Sequence, residues 1–470
     1  MNEEYDVVVI GAGTGGYPAA IRAAQLGMTV ACIDTRPTLG GTCLNVGCIP
    51  SKALLYSSEL LAEAQGAFAE HGIVTGDVTV DLATMLARKD KVVGDLTRGI
   101  EYLFKKNKVE WLRGWARFDS PTRVRVAHSD TGDERVIDAS KGVIIATGSE
   151  AISLPGVAID EERIVSSTGA LSLSKVPERF VVVGGGYIGL ELGSVWQRLG
   201  AKVTVVEFLD RIVPGMDAEI AAQLRRMLER QGLTFHLGTK VVSAEAGPSG
   251  ARLCVEPVGG GQQTILSADA VLMAIGRRPF TTGLGLDVLG IELNDKGRIP
   301  VGKGFETSAP GVFAVGDVIA GPMLAHKSTL DGVTCAEALA GRYYDVDYSR
   351  VAGVIYTSPE VATVGRTEDE LKAKGVAYKR GVFPFTASSR ARCNGDTRGM
   401  VKVLVDTRSD TILGVHIIGP DAGTMISEAV LAMEFGGTSE DIALTVHPHP
   451  TLPEAIREAA LAAQGQPMHV

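Results

Sequence analysis

A pattern of glycines between two apolar runs occurs twice in the chain and constrains its fold more than any other feature. In the first copy, an apolar run of strand length precedes Gly-Ala-Gly-Thr-Gly-Gly at residues 11–16, and a second apolar run ends at Asp34. In the second copy, Gly-Gly-Gly-Tyr-Ile-Gly occupies residues 184–189, and the following apolar run leads to Glu207. The acid follows the first glycine by 23 residues in both copies, and the copies are offset by 173 residues. We therefore predict two β-α-β units that bind dinucleotides.

Each glycine of this turn has its own physical function. The three positions are Gly11, Gly13 and Gly16 in the first copy and Gly184, Gly186 and Gly189 in the second. The first permits the tight turn, the second lets the backbone approach a pyrophosphate, and the third permits close packing of helix on strand. The phosphate is expected at the start of the helix that follows each glycine turn, which in the second copy is predicted over Leu190 to Leu199. Two tight turns without a ligand are the alternative, and the complete context at equal spacing argues against it.

The acid after each second strand predicts which nucleotide is bound. A carboxylate in this place accepts hydrogen bonds from a ribose and repels the 2′-phosphate of NADP. Asp34 and Glu207 occupy the position. After Glu207 the chain adds another acid, Asp210, and Arg211 is the only cation nearby. We therefore expect NAD rather than NADP in the second unit.

The composition is typical of a globular protein that binds neither nucleic acid nor membranes. Of the 470 residues, 45% are hydrophobic and 21% are charged, and the formal net charge is −9 without any block of basic residues. No apolar run reaches the roughly 18 residues of a membrane span, and no targeting segment is visible. We therefore expect a cytoplasmic protein with reduced thiols.

Cys43 and Cys48 are the two cysteines whose spacing suggests chemistry. In an ideal helix, residues five apart have Cα atoms roughly 8–9 Å from each other, whereas a disulfide needs them within about 7 Å. A bond between them requires a distorted segment, which Gly47 and Pro50 allow. Two inert thiols or half of a zinc site are the alternatives. The zinc site lacks a second pair of ligands, so no metal is predicted.

The segment around these cysteines, Gly-Gly-Thr-Cys-Leu-Asn-Val-Gly-Cys-Ile-Pro-Ser-Lys at residues 40–52, resembles the active-site segment of the flavin-dependent pyridine nucleotide–disulfide oxidoreductases. It is most similar to the dihydrolipoamide dehydrogenase branch, and the resemblance extends over essentially the whole chain. It implies an α/β fold with two Rossmann-like dinucleotide-binding domains and a C-terminal α+β dimerisation domain. The implied ranges are 1–150 for FAD, 151–280 for NAD, 281–350 for a central domain that completes the FAD site, and 351–470 for the interface.

The same resemblance implies the residues of the two cofactor sites. Those expected at FAD are Gly11, Gly13, Gly16, Asp34, Gly41, Thr42, Lys52, Gly114, Thr147, Gly148, Ser149, Gly316, Asp317, Met323, Leu324, Ala325 and His326. Those expected at NAD are Gly184, Gly186, Tyr187, Ile188, Gly189, Glu191, Glu207, Val241 and Gly276. Lys52 is expected near the flavin ring, paired with Glu191. His326 is expected to contribute its backbone rather than its side chain.

The C-terminal segment Val-His-Pro-His-Pro-Thr-Leu-Pro-Glu at residues 446–454 resembles the family's His-x-His-Pro-Thr-x-x-Glu motif. The resemblance implies that His449 is a general acid/base and that Glu454 orients it. In the family this histidine reaches the disulfide across a two-fold interface, which implies a homodimer. The implied reaction is oxidation of dihydrolipoamide by NAD⁺ through Cys43 and Cys48, with FAD as the intermediate carrier.

The resemblance also implies a protein partner and leaves alternatives. The partner is a lipoyl domain, either of the acyltransferase of a 2-oxoacid dehydrogenase complex or of the glycine-cleavage carrier protein. Another FAD-dependent disulfide reductase or a mercuric reductase is the enzymatic alternative. Mercuric reductases carry a C-terminal cysteine pair, whereas the last cysteine here is Cys393. A nucleotide-binding scaffold or redox sensor would leave Cys43, Cys48, His449 and Glu454 together unexplained.

Overall fold

The computed structural model describes residues 3–342 and 345–469, in which strands and helices alternate through the N-terminal and central parts of the chain. The strands are β1 (Glu3–Ile10), β2 (Val30–Asp34), β3 (Glu110–Ser120), β4 (Arg123–His128), β5 (Glu134–Ile145), β6 (Ser149–Ala151), β7 (Ile164–Val165), β8 (Arg179–Val183), β9 (Lys202–Val206), β10 (Thr234–His236), β11 (Thr239–Gly247), β12 (Gly250–Pro257), β13 (Thr264–Ala268), β14 (Ala270–Met273), β15 (Arg277–Pro279), β16 (Val312–Ala314), β17 (Gly353–Ile355), β18 (Glu360–Gly365), β19 (Tyr378–Pro384), β20 (Met400–Asp406) and β21 (Ile412–Gly419).

The helices are α1 (Gly16–Gln25), α2 (Gly41–Val46), α3 (Cys48–Gln65), α4 (Leu82–Asn107), α5 (Ser167–Ala170), α6 (Tyr187–Arg198), α7 (Ala218–Arg230), α8 (Ala325–Leu339), α9 (Glu368–Ala373), α10 (Ser389–Asn394), α11 (Ala422–Glu434), α12 (Ser439–Leu444) and α13 (Glu454–Ala463). Within the described ranges, none of them combines the length and the apolar character that crossing a membrane requires.

By their contacts the residues fall into two units, each assembled from distant parts of the chain. The first contains Met1–Ala53, Leu86–Ile152 and Gly276–Tyr348. The second contains Leu54–Met85, Ser153–Ile275 and Ser349–Val470. This division by contacts does not follow the four consecutive ranges expected from the sequence, and those ranges stay predictions.

The first unit is built on a six-stranded sheet in the order β1–β2–β3–β4–β5–β16, in which β1 also pairs with β5. The pairs of β1 with β2 and β5 are parallel, as is that of β2 with β3, and β4 is antiparallel to both neighbours. The residues Val7, Val8, Val9 and Ile10 are buried, which explains why the second half of this strand is a continuous run of β-branched residues.

Small residues let the helices of the first unit pack closely on the sheet and on each other. Helix α1 buries Ala19, Ala20 and Ala23. A Cβ at Gly332 of α8 would lie 2.0 Å from the carbonyl oxygen of Gly15, so only glycine permits this approach. Helix α8 is thereby held against the first glycine loop.

The second unit contains a second nucleotide-binding sheet and a C-terminal sheet. The first of these is parallel, in the order β10–β9–β8–β14–β7, and a separate antiparallel sheet is formed by β11, β12 and β13. The C-terminal sheet is antiparallel, in the order β17–β18–β21–β20–β19, and α11 and α13 contribute to its core. The predicted α/β class, with two dinucleotide-binding folds and a C-terminal α+β part, is confirmed.

A buried lysine ties the start of α7 to the C-terminal sheet within the second unit. The Lys402 side chain is 1% exposed, and its Nζ lies 3.1 Å from both carboxylate oxygens of Asp217 and 3.2 Å from Glu219 Oε2. It also donates to Glu368. Burial opposes ionisation of Glu368, but hydrogen bonds from Lys402 and Tyr378 lower the pKa of this carboxyl to about 2. The cluster is therefore ionised and mutually dependent.

Replacing this lysine should destabilise the protein far more than replacing an exposed partner of the same carboxylate. Lys402→Met leaves buried carboxylates unpaired, and we expect the free energy of unfolding to fall by about 3–5 kcal/mol. Lys372 also pairs with Glu368, at 3.0 Å, but its side chain is 61% exposed. Lys372→Met should therefore lower the free energy of unfolding by less than about 1 kcal/mol. Urea unfolding followed by near-UV circular dichroism at one fixed FAD concentration measures both. An equal fall in the free energy of unfolding in both variants would show that burial does not determine how much Lys402 stabilises the protein.

Candidate active site

The first glycine loop is closed by backbone contacts that exclude side chains. Gly11 has a φ of +104° and donates its N–H to the carbonyl oxygen of Ile33 at 2.7 Å. A Cβ at Gly11 would lie 2.4 Å from the carbonyl oxygen of Ala146, and a Cβ at Gly16 would lie 1.7 Å from that of Gly11. The loop therefore needs glycine at both positions, and it holds the start of α1 against the end of β1.

A second close approach brings the cysteine segment to the same loop. Gly41 begins α2 with a φ of +58°, and a Cβ there would lie 2.5 Å from the Cα of Gly13. A Cβ at Gly13 would lie 3.8 Å from the Cα of Gly41. Two facing glycines form a cradle of bare backbone, which a pyrophosphate can approach and a side chain would fill. These residues fit the diphosphate of FAD, whose contacts with Gly13, Gly41 and Thr42 stay predictions.

The second glycine loop, in the second unit, repeats this geometry. Gly184 has a φ of +108° and donates its N–H to the carbonyl oxygen of Val206 at 2.8 Å. A Cβ at Gly184 would lie 2.4 Å from the carbonyl oxygen of Ala274, and a Cβ at Gly189 would lie 2.3 Å from that of Gly184. Among the residues that the structure describes, apart from its chain neighbours, none has an atom within 4 Å of a Cβ built on Gly186, so the backbone before α6 is open to a ligand. This loop therefore fits the diphosphate of a second dinucleotide.

The two predicted ribose acids are held in the same way. Asp34 Oδ2 accepts the N–H of Ala12 at 2.7 Å, and Glu207 Oε2 accepts the N–H of Gly185 at 2.6 Å. The other oxygen of each accepts the amide two residues further along the chain, at 2.9 Å for Asp34 and 2.8 Å for Glu207. Each carboxylate is therefore fixed beside its glycine loop, with lone pairs left for ribose hydroxyls.

Arg211, the only cation near Glu207 in the sequence, is engaged elsewhere in the second unit. Its Nη1 lies 3.2 Å from Asp369 Oδ2, and its Nη2 donates to the carbonyl oxygen of Pro214 at 3.4 Å. A 2′-phosphate would have to compete with these partners for the guanidinium. The arrangement favours a nucleotide with a free 2′-hydroxyl.

The two cysteines lie on either side of a break between two helices. Helix α2 ends at Val46 and α3 begins at Cys48. Gly47 between them has φ −139° and ψ −116°, which are not helical values. A Cβ at Gly47 would lie 2.9 Å from the carbonyl oxygen of Thr42 and 3.2 Å from the Cα of Cys43. The chain thus folds back over Cys43, which is the distortion that a bond between the cysteines requires.

The thiols interact with each other and with two further side chains of the first unit. Both cysteines are half-buried thiols in the structure. A hydrogen bond with Cys48 and burial raise the pKa of Cys43, while the charge of Lys52 acts in the opposite direction. Burial and the charge of Cys43 raise the pKa of Tyr17. The two thiols therefore interact directly, and the charge of Lys52 favours the thiolate of Cys43. The disulfide itself stays a prediction.

Asp317, the predicted partner of the flavin's ribityl chain, is oriented by hydroxyl groups within the first unit. Ser149 Oγ donates to its Oδ2 at 2.5 Å, and Ser328 Oγ donates to its Oδ1 at 3.3 Å. Arg277 Nε donates in turn to Ser149 Oγ at 2.8 Å, and its Nη2 donates to the carbonyl oxygen of Ser149 at 2.5 Å. The structure therefore brings the predicted Ser149 and Asp317 together, with Arg277 holding the serine.

The other residues predicted at FAD also lie in the first unit. Thr147 Oγ1 donates to the carbonyl oxygen of Phe280 at 2.5 Å. The N–H of Phe280 donates in turn to the carbonyl oxygen of Gly148 at 2.9 Å. Gly114 lies on β3, where a Cβ would be 2.5 Å from the carbonyl oxygen of Ala127. Met323 and Leu324 lead into α8, which begins with Ala325 and His326.

The residues predicted at NAD divide between the units. Tyr187 and Ile188 open α6, Val241 lies on β11, and Gly276 precedes β15 in the first unit. Glu191 is buried, and its Oε1 accepts the N–H of Tyr356 at 3.0 Å. Lys52 belongs to the first unit and Glu191 to the second, so their pairing stays a prediction.

The C-terminal segment presents one histidine and buries the other. His449 Nδ1 lies 2.9 Å from Glu454 Oε1, and the N–H of Thr451 donates to Glu454 Oε2 at 2.7 Å. Burial opposes ionisation of Glu454, but the bonds from Thr451 and His449 hold the pKa of this carboxyl below its usual range. Because an ionised carboxylate only accepts, Nδ1 of His449 carries its proton and Nε2 is left as the base. The His449 side chain is 69% exposed.

His447, by contrast, is held on both ring nitrogens. Its Nε2 lies 2.7 Å from Glu428 Oε1, and its Nδ1 lies 2.9 Å from the carbonyl oxygen of Thr445. The bond with Glu428 raises the pKa of His447, against the effect of burial. Its side chain is 5% exposed, so its contacts are those of a residue that supports the segment.

Sequence reasoning missed several residues that shape the flavin part of the site. They are Tyr17, Arg277, Lys327, Asp331 and Tyr348. Lys327 and Asp331 are four residues apart, immediately after the predicted His326, which is the spacing of a helical ion pair. That spacing usually marks an exposed helix face, so it did not indicate a buried pair.

Comparisons with known proteins agree with this geometry. Residues 5–332 match the family described as "Pyridine nucleotide-disulphide oxidoreductase", and residues 351–460 match its dimerisation domain. Dihydrolipoyl dehydrogenase 1, mitochondrial, of Arabidopsis thaliana is 56% identical over 469 residues, which is 100% of this chain and 92% of that protein. Dihydrolipoyl dehydrogenase 3 of Pseudomonas putida is 54% identical over 468 residues, which is 100% of both. The crystal structure of LpdA from Mycobacterium tuberculosis has a TM-score of 0.89 at 26% identity, with 97% of this chain and 99% of that one covered.

Filling the cradle should abolish tight binding of FAD. In Gly41→Ala, overpacking against Gly13 costs about 1–3 kcal/mol, and the left-handed backbone costs about 1–2 kcal/mol more. Together these should raise the Kd for FAD roughly 100-fold or more. Titration of the flavin-depleted protein with FAD, followed by quenching of flavin fluorescence, measures the change. Gly27→Ala is the control, because Gly27 has a φ of +88° but no atom within 4 Å of a Cβ. A similar loss in both variants would assign the effect to backbone strain alone.

Proposed function

The chain belongs to the pyridine nucleotide-disulphide oxidoreductase family, and we propose that it oxidises dihydrolipoamide to lipoamide with reduction of NAD⁺ to NADH. The observation that carries the proposal is the hydrogen-bonded pair of Cys43 and Cys48 beside the cradle of Gly13 and Gly41. The relatives named dihydrolipoyl dehydrogenase, which match the chain over its full length, support this substrate. The cofactors are FAD in the first unit and NAD in the second.

The cysteines take the electron pair from the substrate in two steps. His449 Nε2 accepts a proton from one substrate thiol, and the thiolate attacks Cys43 of the oxidised pair, so that a substrate–Cys43 disulfide forms and Cys48 leaves as a thiolate. The second substrate thiol then displaces Cys43, which releases lipoamide and leaves both cysteines reduced. The balanced reaction is dihydrolipoamide + NAD⁺ → lipoamide + NADH + H⁺. FAD, when bound, carries the electron pair from the cysteines to NAD⁺.

The role of each charged side chain follows from its contacts. Glu454 keeps Nδ1 of His449 protonated and stabilises the imidazolium that forms during proton transfer. Lys52 stabilises negative charge at Cys43. We also place Lys52 near the flavin ring, paired with Glu191. Glu207 selects NAD, because its carboxylate accepts ribose hydroxyls and Arg211 is held by Asp369.

We propose that the working form is a homodimer in which His449 of one copy serves the cysteines of the other. The matched dimerisation domain supports this assembly. Large apolar side chains stand exposed on the same C-terminal part: Leu431, Phe435, Leu444 and Val446, of which Val446 is 92% exposed. Apolar surface of this kind marks an interface. It lies directly before His447 and His449 in the chain, so a second copy that covers it would approach the histidine.

The protein partner we propose is a lipoyl domain that carries dihydrolipoamide on a lysine. It belongs to the acyltransferase of a 2-oxoacid dehydrogenase complex or to the glycine-cleavage carrier protein. The cytoplasm is the proposed compartment, in keeping with the reduced thiols. The Arabidopsis relative is named as mitochondrial, which makes that compartment the alternative.

The reaction is tested by steady-state NADH formation from free dihydrolipoamide by the FAD-loaded protein. We expect turnover with NAD⁺, and a kcat/KM at least about tenfold lower with NADP⁺, because Glu207 repels the 2′-phosphate. Absorbance at the NADH band measures both. An FAD-loaded protein without turnover would contradict the substrate and direct attention to other disulfides.

Replacing His449 should separate the two halves of the reaction. His449→Gln removes the base, and dithiol oxidation should fall by about 10²–10⁴-fold. Electron transfer from NADH to a dye does not need a base for the thiol, so it should stay close to the wild-type rate. Stopped-flow and steady-state assays of both reactions measure the split.

His447→Gln is the matched control for this variant, since glutamine preserves a hydrogen bond to Glu428 without a titrating ring. It should leave both reactions within a few-fold of the wild type. An equal loss of both reactions in His449→Gln would indicate a folding defect. A comparable loss of dithiol oxidation in His447→Gln would contradict the assignment of the base.

A further inference from the structure

A buried ion pair in the first unit holds both polar backbone groups of Gly316. The N–H of Gly316 donates to Asp331 Oδ2 at 3.0 Å, and its carbonyl oxygen accepts from Lys327 Nζ at 2.9 Å. Lys327 Nζ also lies 2.7 Å from Asp331 Oδ2, and both side chains are completely buried. Gly316 directly precedes Asp317, so the peptide groups on both sides of Gly316 are fixed, including the one that leads to Asp317.

Tyr348, which lies 17 residues after Asp331 in the same unit, completes this arrangement. Its hydroxyl donates to Asp331 Oδ1 at 2.8 Å, and its ring centroid lies 4.8 Å from Lys327 Nζ. Gly321 makes room for the contact, because a Cβ there would lie 2.9 Å from Lys327 Cε and 3.0 Å from the Tyr348 ring. Every oxygen of the Asp331 carboxylate therefore has a partner, and Lys327 is enclosed.

The orientation of Asp317 depends on this group of residues. Asp317 receives hydrogen bonds from Ser149 and Ser328 on its side chain. The peptide that joins Gly316 to Asp317 is held by Lys327 through its carbonyl oxygen, and the peptide before Gly316 is held by Asp331 through its N–H. A rotation of either peptide would break a bond to a buried charge, so the carboxylate is restrained through the backbone as well as the side chain. Precision of this kind is what a cofactor-binding carboxylate needs.

Stability alone does not explain the buried ion pair of Lys327 and Asp331. Burial lowers the pKa of Lys327 and raises that of Asp331, because both charged forms lose contact with water. An apolar pair of similar volume is often as stabilising as a buried ion pair, or more so. What an apolar pair cannot do is hold an N–H and a C=O in fixed directions.

We propose that Lys327, Asp331 and Tyr348 form a backbone clamp that positions Gly316 and Asp317 for the ribityl chain of FAD, with Tyr348 as a positioning residue. The inference rests on the proposed function only in that FAD occupies the first unit. The contacts that define the clamp are those with Gly316 and those among its own three side chains. It should therefore set the affinity and environment of the flavin rather than the chemistry of the thiols.

Tyr348→Phe tests the clamp with the loss of one hydroxyl. We expect the Kd for FAD to rise about 5- to 20-fold, because Asp331 loses a hydrogen bond and the Gly316 peptide is less restrained. We also expect a change in the visible circular dichroism of the bound flavin. Release of FAD from the diluted holoenzyme, followed by the fluorescence of free flavin, gives the Kd. An unchanged Kd and an unchanged flavin spectrum would overturn the proposal.

Tyr378→Phe is the matched control, since its hydroxyl donates to the carboxylate of Glu368 at 2.7 Å in the second unit. The same hydroxyl is lost, but no contact of Gly316 changes, so the Kd for FAD should stay within about twofold of the wild type. An equal rise in the Kd for FAD in both tyrosine variants would show that the effect comes from general destabilisation, and would overturn the proposal of a clamp.

The double variant Lys327→Met with Asp331→Leu separates positioning from folding. It replaces the ion pair with apolar side chains but removes the partners of the Gly316 N–H and C=O, so we expect the flavin-free protein to unfold cooperatively at a somewhat lower temperature, and the Kd for FAD to rise about 100-fold or more. Wild-type FAD affinity in this variant would overturn the clamp. A wild-type protein that binds no FAD would instead refute the proposed function, so the two failures are distinguishable.

Discussion

The close approach of Gly41 to Gly13 is the constraint on which the chemistry of the first unit depends. It fixes the start of α2 against the nucleotide loop, and Cys43 follows two residues later. The break at Gly47 then returns the chain over Cys43, and the thiol of Cys48 interacts with that of Cys43. The cysteine pair is thus placed relative to the loop by backbone contacts that depend on missing side chains. Glycine makes up 57 of the 470 residues, and at these positions that excess has a definite structural purpose.

The two ribose acids show that one side chain can serve both loop geometry and nucleotide choice. Asp34 and Glu207 differ by one methylene, yet each bonds an amide of its glycine loop at 2.7 Å and 2.6 Å. A neutral or basic residue in their place would therefore alter two things at once: the loop that receives the pyrophosphate and the charge that meets the 2′ position. This coupling explains why the acid and the glycines are read together as one pattern rather than as independent signals.

The parts of the structure that the sequence predicts are those whose causes are local. Both β-α-β units, the acids that end their second strands and the distortion at Gly47 depend on residues within about two dozen positions of each other. The cluster of Lys402 does not, because Lys402 lies 185 residues from Asp217. The bonded partners of the clamp on Gly316 lie 11 to 17 residues apart, but the spacing of Lys327 and Asp331 is that of an exposed helical pair, so the sequence did not mark them as buried. The one available signal was Lys402 itself, a lysine inside the apolar run of β20. A charge in such a run indicates a buried partner but does not identify it.

The two buried lysines show how the same residue type meets different needs. Lys402 bonds side-chain carboxylates from α7 and α9, so it joins elements whose relative position it stabilises. Lys327 bonds one carboxylate and one backbone carbonyl, so it fixes the direction of a peptide beside a predicted cofactor residue. Both carry the desolvation cost of a buried charge, which apolar packing would avoid. A flavoenzyme of this kind must align two sulfurs, an isoalloxazine and a nicotinamide, and misplacement by about 1 Å costs about 100-fold in rate. Directional bonds to charged groups provide that alignment where apolar packing, which has no preferred direction, does not.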